Sequence, residues 1–271
     1  TFVQNGLISD ATFALTEDAI IAKNEEGKDD NISTGWHAIE FLLWGQDLNA
    51  TADNLNVQDF SISGNRSFED YTTADFAVRR SQYLQIVTDL LISDLNDLNN
   101  TWAVGGSYRT VFENLSENVA LGNILNGIGF ISNGEVALER IDPAIDEGQE
   151  NEHSCFSDNT NNDMKANVQG INNIIVGAYT QANGSVLTGV SLIDLVNQEN
   201  ETVGNQLSSV AQTTLSRLNT LLGLGQNFDE IVDQETLGSN DPAGQLSSAL
   251  KQQGVAIAEA ANQLGVNITI N

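Results

Sequence analysis

The chain has 271 residues, 40% of them hydrophobic, and a formal net charge of −27 from 37 acidic and 10 basic side chains. That length accommodates one large domain or two modest ones with a real core, while the shortage of Lys and Arg excludes nucleic acid and anionic lipid surfaces as partners. A single cysteine, Cys155, excludes an intramolecular disulfide, and no apolar run approaches the roughly 18 residues of a membrane span.

The chain opens at Thr1-Phe2-Val3-Gln4, with no initiator Met, basic n-region or apolar h-region. A signal peptide is therefore expected to have been removed, or the sequence to begin inside the gene. The first strongly patterned segment is Asn31 to Asp47. Ser33 or Thr34 is a suitable N-cap, and the apolar residues behind it continue as a helix. On that helix His37 and Glu40 are i, i+3 and share one face. An imidazole and a carboxylate so placed can reach one cation, or can hydrogen-bond each other within a bundle. The run around them, Trp36, Ile39, Phe41, Leu42, Leu43 and Trp44, is strongly apolar, and a buried charge there needs a partner or a metal.

Asn49 to Tyr71 is polar and reads as a long surface loop. Helical spacing follows over Phe76–Leu98, Ser107–Ile131, Asp163–Tyr179, Val203–Leu222 and Gln245–Leu264. Strand-like alternation is confined to Phe60–Ile62 and Ile268–Ile270. The prediction is an all-α protein built as two packed helical bundles. Pro143, Gly148 and a crowd of acids between 142 and 162 place the boundary near residue 160, giving domains 1–160 and 161–271.

Two further segments hold groups able to do chemistry. Gly134 to Arg140 opens a helix with Glu135 and Glu139 one turn apart and Arg140 beside them. Downstream, Glu150 and His153 form a Glu-x-x-His, the spacing of di-iron bundles, with Glu152 and Asp158 adjacent. Gly148 and the Ser/Asp/Asn content suggest a loop there, where such spacing fixes no geometry. A zinc peptidase helix of the His-Glu-x-x-His kind is absent, and the inverted form fails because Phe41 follows Glu40. Oxygen with imidazole suits iron, then manganese or zinc.

Gly35-Trp36-His37-Ala38-Ile39-Glu40-Phe41-Leu42-Leu43-Trp44-Gly45-Gln46-Asp47 resembles the Gly-x-His-x-x-Glu signature of the bacterial imelysin family. Gly134-Glu135 through Glu139-Arg140, then Glu150-x-Glu152-His153-Ser154-Cys155-Phe156-Ser157-Asp158-Asn159-Thr160, resembles that family's second hallmark. The resemblance implies an all-helical, two-bundle protein exported to the periplasm or outer membrane and associated with iron uptake. The family is also filed as metallopeptidases. The resemblance makes His37 and Glu40 the metal ligands, with Glu135, Glu139, Arg140, Glu150, Glu152, His153 and Asp158 lining the same region.

The expected cargo is iron, as Fe(II) or Fe(III), with zinc as the alternative metal. Iron or an iron-bearing ligand and an outer- or inner-membrane transport component are the expected partners. An imidazole ligand must be neutral, so affinity is expected to fall as pH drops through roughly 6.5. Two other functions stay open: a zinc-dependent peptidase, and a metal-free module for an iron source or outer-membrane partner.

Overall fold

A computed structural model describes residues 3–28, 31–47, 50–51, 54–58, 60–234 and 241–270. The fold is all-α, and contacts divide it into two compact units, Thr1–Phe112 and Glu113–Asn271. The division falls at 112/113, whereas composition had placed a boundary near 160. No composition shift marks 112/113, because one apolar periodicity runs through both sides of it.

In the first unit a π-helical turn, Val3–Ile8, precedes α1 (Glu17–Ile21), α2 (Gly35–Trp44), α3 (Ala77–Trp102) and α4 (Ser107–Glu113). Its core gathers Leu7, Ile8, Ile20, Phe41, Leu42, Tyr83 and Val87, all buried. Arg79 of α3 ties down the N-terminal segment by donating to the carbonyls of Leu7, Ile8, Asp10 and Phe13 at 2.8–3.0 Å. Such bonds satisfy carbonyls that have no helical partner. The Asn49–Tyr71 segment is less irregular than expected. Its described residues include a hairpin of β1 (Ala50–Thr51) and β2 (Asn54–Gln58) and a 3-10 turn, Phe68–Tyr71, while Asn49 lies outside the described residues.

The second unit opens with α5 (Glu117–Phe130), which runs without a break into a π-helix, Ile131–Ile141, and then α6 (Asp142–Glu147). The predicted helix 107–131 is thus split at 114–116, where Ser116 takes the N-cap position of α5 in extended conformation, without a side-chain capping bond. Next come a 3-10 turn (Gln149–Asn151), α7 (Thr160–Val176), a hairpin of β3 (Ala178–Thr180) and β4 (Val186–Thr188), and then α8 (Leu192–Glu199), α9 (Glu201–Leu222), α10 (Phe228–Gln234) and α11 (Pro242–Gln263).

Two buried clusters fill this unit. One joins Leu125, Ile128, Ile171, Ile175, Leu207 and Ile257, and the other Val136, Ile141, Met164, Leu218, Phe228 and Leu246. Polar pins hold the π-helix in place: Ser132 Oγ donates to the Leu250 carbonyl at 2.8 Å and Asn133 Nδ2 to the Ile270 carbonyl at 2.8 Å. The strands expected at Phe60–Ile62 and Ile268–Ile270 do not form, since neither finds a neighbouring strand to pair with among the described residues. The helix expected to reach Tyr179 stops at Val176. Gly177 ends it at φ +64, where an added Cβ would lie 2.7 Å from the Gly189 carbonyl oxygen.

Candidate functional site

In the first unit the site residues lie on α2. Thr34 is the N-cap, though its side chain does not cap the helix; its hydroxyl instead meets Asn24 Oδ1 at 3.2 Å. Gly35 follows at φ +80, a backbone region that glycine enters without strain. This gives the glycine of the Gly-x-His-x-x-Glu signature a mechanical role. The far end of α2 is held just as firmly. Gly45 N–H and Arg66 Nη2 both donate to the Phe41 carbonyl, at 2.8 and 3.2 Å, and the Tyr71 hydroxyl donates to that of Leu42. These donors satisfy carbonyls the helix end leaves over.

Between those fixed ends α2 turns Ala38, Phe41 and Leu42 inward and leaves Trp36, Leu43 and Trp44 exposed. His37 and Glu40 lie across that divide. The Glu40 side chain is 10% exposed and the His37 side chain 48%, and His37 Nδ1 lies 2.9 Å from Glu40 Oε2. The i, i+3 pairing expected from spacing is formed.

In the second unit Glu135 is the centre of one group. Its Oε1 meets Arg140 Nη2 at 2.9 Å and Nε at 3.1 Å, and stands 4.0 Å from His153 Nε2. The other imidazole nitrogen of His153 is 3.6 Å from Asp163 Oδ2, which also accepts from Ser154 Oγ at 2.6 Å. His153 therefore sits between two carboxylates. Glu139 is exposed to solvent, and it is Arg140, five residues on, that meets Glu135 within the π-helix. Glu150 is also exposed, in the middle of the 3-10 turn. Cys155 is half-buried and forms no disulfide.

A second group is buried more deeply. Glu152 and Asp229 are both buried, Asp229 completely. Burial first, and then the Asp229 carboxylate, push the Glu152 carboxyl up to about 11, while the Thr160 hydroxyl pulls the other way. Two adjacent buried carboxyls cannot both ionise cheaply, so Glu152 holds a proton that it can share with Asp229. Asp158 adds a third acid, with a carboxylate oxygen within 4.8 Å of one of Asp229; its Oδ2 accepts from Asn227 Nδ2 at 2.7 Å. Asn227 and Glu230 exchange bonds at 3.0 Å across the first turn of α10, a capping box that fixes Asp229 within it.

Of the residues singled out in the sequence, the structure joins His37 with Glu40 in the first unit. In the second it joins Glu135 with Arg140 and His153, and Glu152 with Asp158. Asp163, Asn227 and Asp229 were missed. Asp229 had a signal, since it is an acid between Phe228 and Ile231-Val232, all core residues. A family profile described as Imelysin (Peptidase_M75) matches residues 3–263, taking in both units and every residue named here. No curated protein matches the chain.

Proposed function

The chain belongs to the imelysin family, and from that premise we propose that it is an exported iron-binding protein of an iron-uptake system, with His37 and Glu40 as ligands. Iron is cargo in this reading. It arrives free or on a small carrier at the periplasm or outer membrane and is handed to a membrane transport component.

The observation that carries the reading is the 2.9 Å between His37 Nδ1 and Glu40 Oε2. Two ligand atoms each about 2.1 Å from one metal, at a right angle, stand about 3 Å apart. The pair is already at that spacing. The half-exposed imidazole gives a cation access from solvent, and the buried carboxylate exchanges a hydrogen bond for a metal bond. A net charge of −27 raises the local cation concentration. Zinc hydrolysis would ask for about three protein ligands, an open position and a general base. With Glu40 as a ligand, α2 supplies two ligands and no base, which favours cargo over catalysis.

Calorimetric titration of chelator-stripped protein with Fe(II), Fe(III) and Zn(II) tests this, beside His37→Ala and Glu40→Ala. Saturable iron binding near one equivalent is expected, weakened roughly tenfold or more in each variant. Wild type that takes no iron, or iron binding that ignores both substitutions, would overturn it. Tight zinc binding with chelator-sensitive cleavage of a protein substrate would replace it with the peptidase.

A further inference from the structure

The β3–β4 hairpin of the second unit is unlike the rest of this acidic chain. None of residues 166–193 carries a formal charge. Tyr179, Val186, Leu187 and Val190 are each more than half exposed within that stretch. The sheet has only two strands among the described residues, so the side of β4 away from β3 is an edge with no strand paired to it. That edge holds no lysine, proline or bulge, the devices that normally guard an exposed strand.

The register shows what the edge offers. Tyr179 pairs with Leu187, flanked by Ala178–Thr188 and Thr180–Val186. Gly189 N–H donates to the Gly177 carbonyl and Gln181 N–H to that of Ser185, both at 2.8 Å. Antiparallel bonding alternates with period two, so the amides and carbonyls of Val186 and Thr188 point away from β3. Those two residues straddle Leu187. A second β4 laid antiparallel across a two-fold axis at Leu187 would pair Val186 of one copy with Thr188 of the other. Directly opposed residues share a face, so Tyr179 and Leu187 of both copies would then form one continuous apolar row.

We propose that β4 is a homodimerisation edge, on which two copies of this chain join their hairpins into a four-stranded sheet around a two-fold axis at Leu187. A second copy is the occupant because the strand is self-complementary in register, as an isologous contact requires. It is also a surface where two chains of charge −27 can meet without setting acid against acid. An oppositely charged partner would find nothing there to recognise. The proposal does not depend on iron binding.

Sedimentation equilibrium of the whole chain tests it, over about 1–200 μM in about 300 mM NaCl to screen the distant acids. Wild type should dimerise within that range and more tightly at higher salt. Leu187→Lys sets two cations across the axis, and Thr188→Pro removes an outward amide without touching the β3 ladder. Each should raise the dissociation constant roughly tenfold or more, with circular dichroism confirming an unchanged helical fold. Amides of Val186 and Thr188 should gain hydrogen-exchange protection as protein concentration rises. A wild type that stays monomeric throughout, or a dimer that both variants leave intact, would overturn the proposal.

Discussion

Glu152 shows what one side chain can reveal about the whole site. Its carboxyl titrates far above the ordinary 4.5, chiefly through burial and then through Asp229. Between those two pH values the folded chain holds a proton that the unfolded chain has released. Stability from this group is therefore complete below about pH 4.5 and drains away as pH rises through neutrality. Glu152→Gln keeps the shape and removes the titration. Its stability in urea should exceed wild type at pH 8 by on the order of 1–3 kcal/mol, with little difference at pH 4.5. A variant with the wild-type pH slope would show that Glu152 does not hold that proton. Gly35 gives a second test at this scale, since φ +80 strains any L side chain. Gly35→Ala should cost about 1–2 kcal/mol in the same assay, although no atom stands within 4 Å of the added methyl. His37 and Glu40 were legible in the sequence because an i, i+3 relation on a helix is local geometry. Asp229 carried only the faint signal of an acid among apolar residues, because packing alone brings Glu152 and Asp158 to it, and Asp163 meets His153 and Ser154 across a turn whose geometry spacing does not fix.

The π-helix shows how an element sets the meaning of a motif. Read as an α-helix, Gly134 to Arg140 puts Glu135 and Glu139 on one face. In the π-helix Glu135 pairs with Arg140, five residues on, and Glu139 stays in solvent. A double-mutant cycle should therefore find coupling between Glu135 and Arg140, up to about 1 kcal/mol for so exposed a pair, and none between Glu139 and Arg140. Coupling confined to Glu139 would mean that the Glu135–Arg140 pair does not form in solution. Hydrophobic period does not separate the two helix types over so few residues, so the π-helix left no mark in the residue pattern. The long helices α3, α9 and α11 were legible, within a few residues at each end, because their apolar stripes repeat over many turns. The β3–β4 hairpin did have a signal. Asn183-Gly184 stands between Ala178-Tyr179-Thr180 and Val186-Leu187-Thr188, and Gly184 takes φ +83 in the turn. The helical period running up to Val176 masked it.

For the whole molecule the governing quantity is charge. The stretch from 142 to 162 read as a break between domains, yet it lies within the second unit, with Pro143 in the first turn of α6, Thr160 opening α7 and Glu152 buried among its acids. With 37 acids against 10 bases the chain has a formal charge of −27, and its self-repulsion is relieved when the chain unfolds and spreads its charges apart. Added salt shortens the reach of that repulsion from about 30 Å at 10 mM to about 10 Å at 100 mM. The melting temperature should therefore rise by a few degrees, roughly 1 kcal/mol or more, between those concentrations. Screening depends on ionic strength and not on which cation supplies it. Sodium chloride and tetramethylammonium chloride should give the same rise with chelator present, at a protein concentration too low for association. A melting temperature that stays flat in both salts would mean that the acids are too widely spread to repel. A rise in sodium alone would mean that the folded chain binds the ion at defined carboxylates.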